Sequence, residues 1–192
     1  MIRLVEFLKK NAVLIKFYLL FAYFWLFFTI LIKIPRTSEF INEHIPVFMA
    51  KSVALVLKIF GLTAKTIGPN VQIISDSEKF GFKIILACAG IFGMMIYTAA
   101  VIAYPSKIKE KIMGLIVGIT GLYAINTIRM AALGIIGLKW RKQFEMAHEY
   151  LWQGIFIIFV IAFWIFWKEK MVQAPPKEIP PGTDQTPDES AS

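Results

Sequence analysis

Residues 86–104 read LACAGIFGMMIYTAAVIAY: the only cysteine of the chain, Cys88, leads an uncharged apolar run that ends at Tyr104. Two further runs follow it. One extends from Ile112 to Ile128 and closes on Arg129, and the other opens at His148 and continues to Trp167. Each is long enough to cross a bilayer as a helix, for which about 17–25 residues suffice. Successive crossings alternate in direction, so the start of the first run, the end of the second and the start of the third emerge together. Cys88, Arg129 and His148 therefore share one face of the membrane whichever way the chain is inserted.

Composition agrees with a membrane setting. Of 192 residues, 57% are hydrophobic, and the mean hydropathy is +0.64. A soluble domain averages about 45–50% apolar residues and does not string them into uncharged runs of this length. The net charge of +8 is carried by residues that flank the apolar segments. That pattern fits anchoring at anionic headgroups and argues against nucleic acid. With one cysteine there is no intramolecular disulfide, so Cys88 is either a small packing residue or a reactive thiol.

Outward from the three runs, residues 1–16 mix apolar side chains with Arg3, Lys9, Lys10 and Lys16 and read as a basic amphipathic lead-in. It reads as an anchor, not a cleaved signal, because the apolar run behind it is too long and lacks a small-residue cleavage site. Residues 17–34 form a first span that Pro35 ends, with a polar connection after it. Residues 45–62 carry Lys51 and Lys58, with Lys65 beyond, spaced by seven on an otherwise apolar segment. A lysine at the bilayer centre costs at least about 2.5 kcal/mol, so this stripe predicts an interfacial amphipathic helix whose ammonium groups reach water. Residues 66–85 have turn signals at Gly68-Pro69-Asn70 and Ser75–Glu78 and read as a small hairpin. His44 reads as a loop residue. Residues 171–192 are Pro-rich, acidic toward the end and expected to be disordered.

The fold class expected is all-α. It is a polytopic helical membrane protein with about four transmembrane helices, an interfacial amphipathic helix and a small extracytoplasmic hairpin, its catalytic core within residues 86–167. Gly114, Gly118 and Gly121 provide small residues for close helix approach. Basic residues around the first span favour a cytoplasmic N-terminus, which puts the Cys88 face outside if there are four spans. Five spans would put it inside.

Three side chains on one face define a chemistry. A cysteine at a helix start gains from the unpaired amides and dipole there, and a nearby arginine favours the thiolate further. His148 can take the thiol proton and return it to a leaving amine. Arg129 is always charged, so it serves as a clamp for a substrate carbonyl or its developing oxyanion. Asn126 lies three residues before Arg129 on the same helix face and either orients the guanidinium or bonds a neighbouring helix. Glu145 and Glu149 either hold the imidazole or face solvent. No metal cluster, phosphate loop or serine elbow is present in the sequence, and no cofactor is expected. A non-enzymatic membrane scaffold is the competing class. A transporter would need charged groups within the spans, and the sequence has almost none.

At these residues the chain resembles the exosortase/archaeosortase family of membrane cysteine transpeptidases. The matching pieces are Ala87-Cys88-Ala89-Gly90, Asn126-Thr127-Ile128-Arg129 and His148, in the family's order. The Tyr104-Pro105-Ser106-Lys107 turn and Trp152-Gln153 look most like the short exosortase H type. Ala89 departs from the Ser or Asn that often stands between the cysteine and the glycine. The resemblance implies substrates that are secreted proteins with a C-terminal sorting signal: a motif, a transmembrane helix and a basic end. It implies cleavage at the motif and transfer to a surface acceptor, by a site on the extracytoplasmic face of the plasma membrane. Trp140 and Trp152 are candidates to flank the substrate's helix.

Overall fold

The computed structural model describes residues 11–75, 78–140, 142 and 152–172. Outside the described residues lie most of the basic lead-in, the Pro-rich tail from 173 onward, and His148 with Glu145 and Glu149.

Helix α1 spans Ala12–Lys33, so the apolar helix takes in the last residues assigned to the lead-in. Nothing between Ala12 and Lys16 breaks a helix. Helix α2, Pro35–Ile59, restarts at once. The residue before a proline avoids the helical region, and Ile34 is extended at φ −62° and ψ 126°. Pro35 itself suits a helix start, where its missing N–H has no partner to lose. The expected polar connection is thus the first turn of α2, and His44 is helical, stacked 4.3 Å from Phe40.

Three strands follow: β1 Thr63–Ile67, β2 Asn70–Ile74 and β3 Lys79–Lys83, antiparallel in the order β1-β2-β3. Ala64, Ile73 and Phe80 share one register line, as do Thr66, Val71 and Phe82. These side chains face the core, while Lys65, Gln72 and Gly81 face outward. The expected hairpin is therefore a three-stranded meander. β1 is weakly marked in sequence because it has only one buried residue, Ala64.

Helix α3, Ile91–Ala103, is 13 residues long, about 20 Å. Helix α4, Ile108–Lys139, has 32 residues, about 48 Å, and outruns a hydrocarbon core of about 30 Å. Helix α5 is Trp152–Lys170. Among the described residues α1, α2 and α4 are long and apolar enough to cross a membrane, three helices where about four spans were expected. α3, at 13 residues, falls short of the roughly 17 a crossing needs, and α2 qualifies by length where an interfacial helix was expected.

The described residues form two cores. At one end, Phe17 of α1, Tyr104, and Trp164 and Trp167 of α5 pack around the α3–α4 turn, Tyr104 edge to face with the other three rings and Phe17 tilted against Trp164. The Lys111 ammonium donates to the Ile102 carbonyl near the end of α3, and the Trp167 indole donates to the Glu110 carbonyl. Gly114, Gly118 and Gly121 make room for aromatic rings, those of Trp167, Tyr97 and Phe163. The second core lies at the opposite end. Met49, Val53 and Leu57 of α2 pack there with Val71 and Ile73 of the sheet and with Met130 and Leu133 of α4. Gly134 and Gly137 face Phe82 and Phe80. α1 begins at the aromatic end and leads away from it, but α2 feeds the sheet without returning the chain there. α2 packs at the sheet end, with Met49 against Asn126 and Thr127.

Candidate active site

Cys88 stands in a tight turn between β3 and α3, outside both. Its amide donates to the Ile85 carbonyl at 3.0 Å, and the Ala89 amide shares that acceptor at 3.1 Å. Gly90 ends the turn at φ 76°, a left-handed conformation that favours glycine. A Cβ there would sit 2.9 Å from Asn126 Cγ and 3.1 Å from Phe156 Cζ. Gly90 thus meets two demands at once: the conformation that turns the chain into α3, and the space that brings α3, α4 and α5 together beside Cys88.

Arg129 reaches Cys88 from α4. Its Nη2 donates to the main-chain carbonyl of Cys88 at 3.1 Å, and Asn126 Nδ2 donates to the same oxygen at 3.1 Å. The i, i+3 spacing aligns the two side chains on one helix face, so they form a two-donor clamp. Asn126 is fully buried, and Cys88 and Arg129 are 7% and 8% exposed. The Phe156 ring of α5 lies 5.4 Å from the guanidinium carbon, a cation–π contact. Among the described residues, Arg129 Nε and Asn126 Oδ1 have no hydrogen-bond partner. No carboxylate among those residues pairs with Arg129.

A buried guanidinium without an acid beside it favours a negative charge in its surroundings. Two opposing influences act on the Cys88 thiol. Burial, the larger, pushes it up; the Arg129 charge and a backbone hydrogen bond at Ile85 pull it down, and the net direction is up. The resting side chain is therefore the thiol, and a nucleophilic role requires a base to take its proton. A cavity of about 350 Å³ is lined by Phe80, Phe82, Lys83, Ile85, Cys88 and Met130. A groove of about 280 Å³ between α4 and α5 exposes Arg129 with Ile125, Ile128 and Phe156.

Arg129 is the twenty-second residue of α4, about 31 Å from its start. That distance is close to the thickness of a hydrocarbon layer, about 30 Å. The structure brings together Cys88, Asn126 and Arg129. His148 is outside the described residues, but α5, which starts four residues after it, carries the Phe156 that covers Arg129. Trp140 ends α4 and is exposed; Trp152 opens α5. Sequence reasoning missed Phe156 and the packing role of Gly90. Their only signal was a small residue beside the cysteine and one aromatic among many.

A family model described as transmembrane exosortase (Exosortase_EpsH) matches residues 15–168, about four-fifths of the chain. No curated protein and no solved structure is significantly similar to it.

Proposed function

The chain belongs to the transmembrane exosortase family, and from that premise we propose that it is a membrane cysteine peptidase/transpeptidase. Its substrates are secreted proteins ending in a sorting motif, a transmembrane helix and a basic cluster. The site is on the extracytoplasmic face of the plasma membrane. The observation that carries the reading is the buried Arg129 on the Cys88 turn, where no acid among the described residues neutralises it.

In this mechanism His148 takes the Cys88 proton, and the thiolate attacks the scissile carbonyl at the motif. The carbonyl π electrons move to oxygen, and Arg129 stabilises that oxyanion with donors beyond the one spent on Cys88. Collapse breaks the C–N bond, His148 protonates the leaving amine, and a thioester to Cys88 remains. An acceptor nucleophile then attacks the thioester and releases the thiol. A site at the lipid boundary suits a scissile bond held just outside the substrate's own membrane helix. Asn126 is a positioning residue that holds the Cys88 carbonyl and, through it, the turn.

The burial of Cys88 favours a competing reading, a scaffold in which the cysteine only packs. Co-expression with a protein bearing such a sorting signal separates the two. Cys88→Ala is expected to abolish processing while the protein accumulates to the normal level. Processing that survives the substitution rejects the enzyme.

A further inference from the structure

Away from Cys88, the sheet end carries a groove of about 610 Å³ whose rim holds Lys51 and Lys58 of α2 and Lys65 of β1. The first two lie seven residues apart, about 10.5 Å along one helix face. Lys65 comes from a different element, and the fold places it on the same hollow. Thr66 and Gln72, the latter opposite Lys65 in the sheet register, add hydrogen-bonding groups. The walls between them are apolar, with Ala54, Leu55, Ala64 and Ile67. Among the described residues no carboxylate lines the groove and none pairs with the three lysines. Leu55, Ile59, Phe60 and Ile67 are all exposed around it, as they would be at a lipid contact.

We infer that this groove binds an anionic phospholipid, its phosphate held by Lys51, Lys58 and Lys65 and its apolar chains lying along α2. The mixed lining decides the class. Three cations alone would serve an acidic peptide equally well, whereas an amphiphile uses both the charged rim and the apolar wall. On the orientation proposed above, these lysines also lie on the outer face, where basic residues are ordinarily depleted. A local anionic ligand supplies a reason for them.

The test is native mass spectrometry of the full chain in neutral detergent, titrated with phosphatidylglycerol or phosphatidylcholine of the same chain length. Phosphatidylglycerol is expected to be retained preferentially. Each of K51Q, K58Q and K65Q should weaken it about five-fold, and the three together roughly a hundred-fold, from about 1 kcal/mol per basic residue. The triple Lys→Arg variant should retain binding, and the control set K33Q, K109Q and K168Q should leave it unchanged. Equal retention of the two lipids, or equal loss in the control set, overturns the site. Displacement by equimolar inorganic phosphate would make free phosphate the ligand, and displacement by a glutamate-rich peptide would make it a protein site; either overturns the lipid assignment. If the triple Lys→Gln variant does not fold, the single variants, all at exposed positions, decide. The readout needs no processing activity, and Cys88→Ala should bind like the wild type, so failure here leaves the peptidase reading standing.

Discussion

The Arg129 guanidinium donates a 3.1 Å hydrogen bond to the main-chain carbonyl of Cys88, a residue 41 positions earlier in the chain. The contact ties the turn before α3 to the middle of α4, and it spends only one of five guanidinium donors. Arg129→Lys keeps the charge but loses the planar fork and the geometry toward Phe156. Processing is expected to fall by about 10²–10³-fold, the usual cost of one lost oxyanion donor. The detergent-solubilised protein should keep a melting transition near that of the wild type. A variant that processes at the wild-type rate would remove Arg129 from the chemistry.

Asn126 shares the Cys88 carbonyl but reaches it from a fully buried position. Asn126→Leu removes one donor while Arg129 continues to satisfy the acceptor. The expected loss of stability is about 0.5–1.5 kcal/mol, the net worth of one hydrogen bond, read as a shifted denaturation midpoint in detergent. A looser turn should also increase Cys88 alkylation by a small reagent. Unchanged alkylation would mean that Asn126 only packs.

The Cys88 thiol is held up by burial and partly drawn down by Arg129. The neutral thiol therefore persists above the ordinary cysteine range, and only the thiolate reacts with iodoacetamide. Alkylation should be slow at neutral pH and accelerate as pH rises. Arg129→Met removes the lowering influence, so its rate–pH profile is expected to move to higher pH than that of the wild type. A shift to lower pH would contradict the assigned causes.

Gly90 and Gly154 make a paired test. At Gly90 an alanine meets a φ of 76° and sits 2.9 Å from Asn126, so Gly90→Ala should cost on the order of 1–3 kcal/mol and reduce processing with it. At Gly154, on α5, a Cβ meets nothing within 4 Å among the described residues. Gly154→Ala should be neutral or stabilise by up to about 1 kcal/mol, since it lies in a helix. Thermal denaturation in detergent compares them; equal effects would refute the packing account of Gly90.

Gly118 faces Tyr97, whose hydroxyl donates to the Gly114 carbonyl at 2.9 Å. Gly118→Leu puts a branched side chain where the ring lies. The expected penalty is about 1–3 kcal/mol from overpacking. Because the aromatic core and the sheet end are separate, protein level should fall more than the activity per folded molecule.

Much of this was legible along the chain because the forces that wrote it are local. An uncharged apolar run is costly to leave in water, so helices between Leu86 and Trp167 follow from the pattern, although α3 is shorter than a crossing and counting residues does not by itself place Cys88 beside Arg129. Turn residues likewise marked the β-structured segment after α2. The sequence did not disclose β1, whose single buried residue is too small a signal. It also misassigned the stretch after Pro35, because a proline that stops one helix is equally suited to start the next. Only the tertiary structure decided that Arg129 grips a backbone carbonyl, that Phe156 covers it, and that Lys65 joins Lys51 and Lys58 on one groove. Those contacts depend on the rotation and packing depth of elements far apart in sequence, and no local preference encodes them.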